Sequence, residues 1–320
     1  MRTTSFERMG SRSTDPATVA AVAVTLTLWA SAFVGIRSAG RHLAAGPLTL
    51  GRLLAGTLAL GALALARGER MPPREDLPRL LVCGLLWFGA YNVLLNAAER
   101  RVDAGTAAML VNIGPIMIAV LAGVLLREGF PRTLLAGCAI AFGGAAIIGL
   151  ATSGGGGHSG WGAALCVAAA AAYAGGVVAQ KPLLERTSAL QVTFLACLVG
   201  AIACLPFAPA TVHELRAAPA GAIAWTAYLG VFPTAVGFTT WAYALKRTSA
   251  GRMGATTYLV PPLAILLAWA LLGEAPPALA LLGGAVCLAG VAVTRLSPRA
   301  SAPAADEAGE STLDPAGLRS

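Results

Sequence analysis

The residues with chemistry to offer are few, and they sit inside or at the ends of apolar runs. Arg52 is a charge within such a run. An arginine at membrane depth costs about 2.5–3.5 kcal/mol on insertion scales, so it needs a partner: a carboxylate-bearing solute, loop carbonyls or Glu99. Asn112 and Tyr258 each stand three positions before a mid-run proline, Pro115 and Pro261. Each proline removes one backbone donor and leaves a carbonyl free, which reads either as a hinge at a cavity or as a static kink. The Asn112 and Tyr258 side chains then line a cavity or join helices. Phe88, Asn92 and Asn96 recur every four residues and share a helical face, and the matching face later in the chain carries Thr234, Phe238 and Trp241. Amides and rings together suit a small amphipathic solute, although both also anchor helix ends at an interface. Trp29 and Tyr173 lie deeper in their runs, as lining or gating residues. The candidate substrate-binding set is therefore Trp29, Arg52, Asn92, Asn112, Tyr173, Trp241 and Tyr258.

Glu128 and Glu274 each fall where one run ends and the next begins, and a carboxylate there can accept orphan helix N–H groups; both are read as structural caps. Glu99 and Asp103 remain as weaker candidates for ion coupling, and His42, His158 and His213 read as solvated loop residues. No Ser/His/Asp, His/Glu or paired-acid constellation occurs within the runs, so no catalytic residue is assigned. All six cysteines lie in apolar stretches without metal-ligand spacing, so neither a disulfide, a metal nor a cofactor is expected. No Walker loop is present, which argues against direct ATP drive.

These residues must be positioned by the elements that carry them, and those elements occur twice. The stretch from Arg101 to Ala146 is echoed from Arg247 to Ala292 with a constant shift of 146 positions. Ala104-Gly105 falls on Ala250-Gly251, Pro115 on Pro261, Glu128 on Glu274, and Gly137 and Gly144 on Gly283 and Gly290. The earlier part repeats with a shift of 144, placing Trp29 on Tyr173 and Arg37 on Lys181. Breaks at charges, prolines and Gly-rich joints leave ten expected spans: 17–36, 47–66, 79–98, 104–126, 132–151, 160–180, 190–208, 221–243, 251–272 and 277–295. Each is near the roughly 20 residues that cross a bilayer core. The polar stretches 67–79 and 209–220 read as loops. The division is a cytoplasmic amino-terminal segment at 1–16, a first five-helix unit at 17–151, a Gly-rich joint at 152–159, a second unit at 160–296, and a disordered cytoplasmic tail at 297–320.

At 320 residues, 57% hydrophobic and 12% charged, the chain has too little polar surface to cover a soluble globule. The formal charge of +8 is spread through breaks between apolar runs, so it indicates membrane orientation and no nucleic acid partner. With both termini cytoplasmic, 17 Lys and Arg fall inside and five outside. Five spans is an odd number, so the second unit sits inverted relative to the first. The expected fold is an all-α integral membrane protein whose ten transmembrane helices form two inverted five-helix repeats.

The run from Trp29 to Arg37, Pro47 followed by Arg52, the Ala97-Ala98-Glu99-Arg100-Arg101 segment and Leu271 to Glu274 before a Gly-rich last helix together resemble the EamA-type carriers of the drug/metabolite transporter superfamily. The resemblance covers roughly 17 to 296, with one departure: Arg127 stands where the second copy has Gly273. It implies a central cavity, transport of a small metabolite, export more readily than uptake, and spans five and ten that are peripheral or join two copies into a homodimer. The expectation is a secondary transporter for an amino acid or related compound in the cytoplasmic membrane, rocking one five-helix unit against the other. The alternative is a multidrug or lipid-handling membrane protein of the same fold. The expected partners are a small-molecule substrate and the lipid bilayer.

Overall fold

The computed structural model describes residues 15–101, 110–152, 160–272, 277–294 and Leu296, and among them every regular element is helical. In chain order they are α1 (Pro16–Ala39), α2 (Ala45–Ala66), α3 (Arg74–Glu99), α4 (Gly114–Leu125), α5 (Arg132–Thr152), α6 (Gly160–Arg186), α7 (Ala189–Ala203), α8 (Ala208–Ala217), α9 (Ala220–Leu245), α10 (Ala250–Thr256), α11 (Val260–Leu272) and α12 (Ala278–Thr294). Among the described residues six helices, α1, α2, α3, α5, α6 and α9, are long and apolar enough to cross a membrane. α7 and the 205–217 segment would make a seventh, bent by 51°. α4 and α12 are shorter apolar helices. These are the helices of a multi-pass membrane protein.

Proline placement explains the departures from the expected spans. The stretch 209–220, expected as a loop, contains α8: Pro206 and Pro209 sit in the first turn of the short helices they open, where no N–H is needed. The run containing Pro115 is not one kinked helix. Residues 112–113 form a turn, and Pro115 occupies the first turn of a new helix, α4. The second copy breaks at the same place, with a tight turn at Thr257–Leu259 before α11 and Pro261. The proline ring clashes with the carbonyl four residues back, so the helix restarts at the proline.

Two widened turns, with i→i+5 hydrogen bonding, lie at Gly84–Ala90 of α3 and Gly230–Val236 of α9. Each bound of the second is 146 positions beyond the first. α7 packs against the first and α2 against the second. A Cβ on Gly84 would meet the Ala196 carbonyl at 2.7 Å, and one on Gly230 would meet the Arg52 carbonyl, so both crossings bring backbones together.

The halves interlock. α1 packs on α9 and α11, whereas α6 packs on α3 and α4. The first helix of each half is thus built into the other half. α5 and α12 form the most extensive helix pair. Their glycines face each other: a Cβ on Gly144 would meet the Gly283 carbonyl at 2.6 Å, and one on Gly137 would meet the Gly290 carbonyl at 2.6 Å. Small residues allow this approach where no solvent drives association, and these glycine faces are filled within the chain.

Candidate functional site

A cavity of about 890 Å³ lies between two groups of helices. Its walls are α1, α2, α9 and α11 on one side and α3, the 111–115 segment and α6 on the other. Arg37, Arg41 and Arg100, all exposed, mark its mouth at the end of α1 and α3.

An aromatic floor closes the inner end. Trp29 stacks on Trp241 with centroids 5.0 Å apart, and Trp87 lies 4.8 Å from Phe238, 5.5 Å from Tyr173 and 5.6 Å from Trp241. Offset and tilted ring pairs add about 0.5–1.5 kcal/mol each beyond their buried area, so this cluster is a rigid surface. Trp29 Nε1 donates to the Pro233 carbonyl at 3.3 Å, which fixes the indole against the widened turn of α9.

That widened turn also positions Arg52. Pro233 has no N–H, so the Leu229 carbonyl four residues earlier loses its helical donor. The Thr234 hydroxyl donates to that carbonyl at 2.8 Å and accepts from Arg52 Nε at 3.2 Å and NH2 at 3.0 Å. Arg52 is 5% exposed and lines the cavity. Its charge is held by a neutral hydroxyl.

The opposite wall carries the amides. Asn92 Nδ2 donates to the Phe88 carbonyl at 2.8 Å and the Trp87 carbonyl at 3.2 Å, both within the widened turn of α3. Its donors are thereby committed to the backbone. Asn96 Nδ2 donates to Thr49 Oγ1 at 2.9 Å, and the Asn96 Oδ1 is buried without a hydrogen-bond partner. Glu99, one turn further, lines the cavity with a buried, unpartnered Oε1.

Of the seven candidates from sequence, Trp29, Arg52, Asn92, Asn112 and Tyr173 line this cavity, as do Pro115 and Pro261. Trp241 and Tyr258 stand behind its wall: both are 0% exposed, Trp241 stacked under Trp29 and Tyr258 in a separate cluster with Cys138 and Cys287. Glu128 accepts from Ala250 N at 2.7 Å and Gly251 N at 3.1 Å, so the helix it caps is α10 and not the one that follows it in sequence. Glu274 and Asp103 lie outside the described residues. Sequence reasoning missed Trp87 and Tyr91 and gave Glu99 only a minor part. The signal was available, because Trp87 and Tyr91 are spaced by four and form a second row beside Phe88, Asn92 and Asn96.

The far end is closed. Lys181 Nζ donates to the Leu245 and Thr248 carbonyls, each at 2.6 Å, while Glu128 holds the N–H groups of Ala250 and Gly251. Both clasp the connection between α9 and α10.

Comparison with known proteins agrees with this picture. The EamA-like transporter family matches residues 17–150 and again 160–296. The chain is 43% identical over 271 residues to the "Probable terminal-alkyne amino-acid exporter" of Streptantibioticus cattleyicolor, covering 85% of this chain and 91% of that protein. It is 32% identical over 269 residues to the uncharacterized transporter YdfC of Bacillus subtilis, covering 84% and 88%. A protein of known crystal structure, 21% identical, shares the fold with a TM-score of 0.72 over 88% of this chain and 96% of its own.

Proposed function

The chain belongs to the EamA-like transporter family, and from that premise we propose that it is a secondary transporter exporting a small amino acid or related compound across the cytoplasmic membrane by alternating access. The observation that carries the reading is one cavity, open at the Arg37 end, closed at the Lys181 end, and offering charge, amides and aromatic rings to one solute. The amino acid cargo is supported by the Streptantibioticus cattleyicolor relative named for amino-acid export. The matching family and both curated relatives are named for transport, which supports a role other than catalysis.

The finer architecture in this reading is ten spans in two inverted units, 17–151 and 160–296, with both termini cytoplasmic. The recurrence of the widened turns at a spacing of 146 residues, the paired breaks before Pro115 and Pro261, and the two separate family matches support it. The bodies that move are not the two sequence halves, because the first helices are exchanged between them. They are α1 with α9 and α11, against α6 with α3 and α4, while α2 and α7 pack on each other and join the two; the cavity lies at their boundary. Pro115 and Pro261, each at the start of a restarted helix, are the hinges.

The test is efflux from proteoliposomes loaded with labelled neutral amino acids. Loss of label at a rate above protein-free vesicles, reduced by excess unlabelled amino acid, is the expected result. Movement of labelled lipid or cationic dyes with no amino acid flux would overturn it.

A further inference from the structure

Arg52 and Glu99 are opposite charges lining one cavity, yet they are not joined. Among the described residues the guanidinium hydrogen bonds go to Thr234, and the Glu99 Oε1 has no partner. Buried charge without a counter-ion costs several kcal/mol, so two opposite charges that line one cavity without forming an ion pair are arranged for something that can meet both. A lone cation there would meet Glu99 but face Arg52, and a lone anion would meet the reverse. A zwitterion satisfies both.

The surroundings refine the shape of that solute. Asn96, one turn from Glu99 on α3, also lines the cavity and carries a second buried acceptor, Oδ1, without a partner among the described residues. Its amide is held by Thr49, one turn from Arg52 on α2, so the two walls are tied at this level. Carboxylate and amide oxygens are acceptors only, which suits an ammonium with three donors; the planar guanidinium suits a carboxylate. Inward lie Trp29, Trp87 and Phe238, an apolar surface with no further charge.

Building on the amino acid carrier reading, we propose that Arg52 and Glu99 form a split receptor for the zwitterionic end of an α-amino acid, carboxylate on Arg52 and ammonium on Glu99 with Asn96 Oδ1, and that the aromatic floor selects an uncharged, apolar side chain. Arg52 stands on α2, whereas Glu99 and Asn96 stand on α3. The bound zwitterion therefore bridges these two helices. A solute lacking either charge lacks one end of that bridge.

The test uses the full chain in proteoliposomes with labelled norvaline, competed by N-acetylnorvaline, which lacks the ammonium, and by norvalinamide, which lacks the carboxylate. In the unmodified protein both analogues should compete at least tenfold more weakly than unlabelled norvaline. Glu99→Gln should slow norvaline transport at least tenfold and remove the discrimination against N-acetylnorvaline, whereas Arg52→Gln should remove that against norvalinamide. Retained thermal unfolding in detergent shows that each variant is folded, and the analogue series on the unmodified protein tests the receptor without any variant. Norvaline transport with equal competition by both analogues, or unchanged in Glu99→Gln, would overturn the split receptor and leave the amino acid carrier standing. Absence of flux for any neutral amino acid would overturn both.

Discussion

Thr234 is a small residue that mediates between two larger ones. Its hydroxyl both replaces the donor that Pro233 lacks and receives Arg52. Thr234→Val keeps the shape but leaves the Leu229 carbonyl and the guanidinium without that partner. The expected cost is about 1–3 kcal/mol of stability, the penalty for an unsatisfied buried polar group, together with loss of transport; Thr234→Ser should retain most of both. Thermal unfolding and amino acid efflux on the same preparations check it. Arg52 was legible in the sequence because a lone charge in an apolar run calls for a partner. Its true partner was less so: Thr234 sits 182 positions away, and the need for its hydroxyl arises because Pro233 leaves the Leu229 carbonyl without its helical donor. Glu99 was underrated for a related reason. At the end of a run it read as a weaker coupling candidate or a partner for Arg52, and only packing shows that one oxygen is buried and that it lines the cavity.

Helix identity and order were visible from hydropathy and from the 146-residue echo, but helix boundaries were misread wherever proline opened a helix instead of ending one. Pro206, Pro209 and Pro115 all occupy first turns, a use of proline that a break signal alone cannot distinguish. The echoed glycines were legible as demanding positions without a stated demand, and the α5–α12 pair supplies it. Gly144→Leu would force a side chain into a space where even a Cβ would lie 2.6 Å from the Cys287 nitrogen and the Gly283 carbonyl. The two backbones must separate, so the loss should reach or exceed the upper end of the about 1–3 kcal/mol seen for overpacking. Gly143→Leu, one position away where an added Cβ meets nothing within 4 Å, should be tolerated. The yield of monodisperse protein and its unfolding midpoint separate the two outcomes.

On the scale of the whole molecule, a cavity open at one end requires a seal at the other, and the seal is chemical as well as steric. Lys181 satisfies two carbonyls at and just past the end of α9, and Glu128 satisfies two amides at the start of α10. Beneath this clasp the space is filled by buried residues, among them Met253, which is 1% exposed, and Leu245, which is 0% exposed. Lys181→Met removes the charge-assisted bonds while keeping an apolar stem of similar length, so it should loosen the seal without emptying the core. All six native cysteines are buried, so Met253→Cys can report on that loosening. With the clasp intact, a membrane-impermeant thiol reagent should label Cys introduced there slowly. With Lys181→Met added, labelling should rise several-fold, and it should fall again when norvaline is present only if the bound solute favours the state sealed at this end. Labelling that is fast from the outset would mean that the packing under the clasp is not the barrier. Labelling that stays slow in the double variant would assign the seal to packing alone and leave Lys181 a local anchor for the α9 terminus.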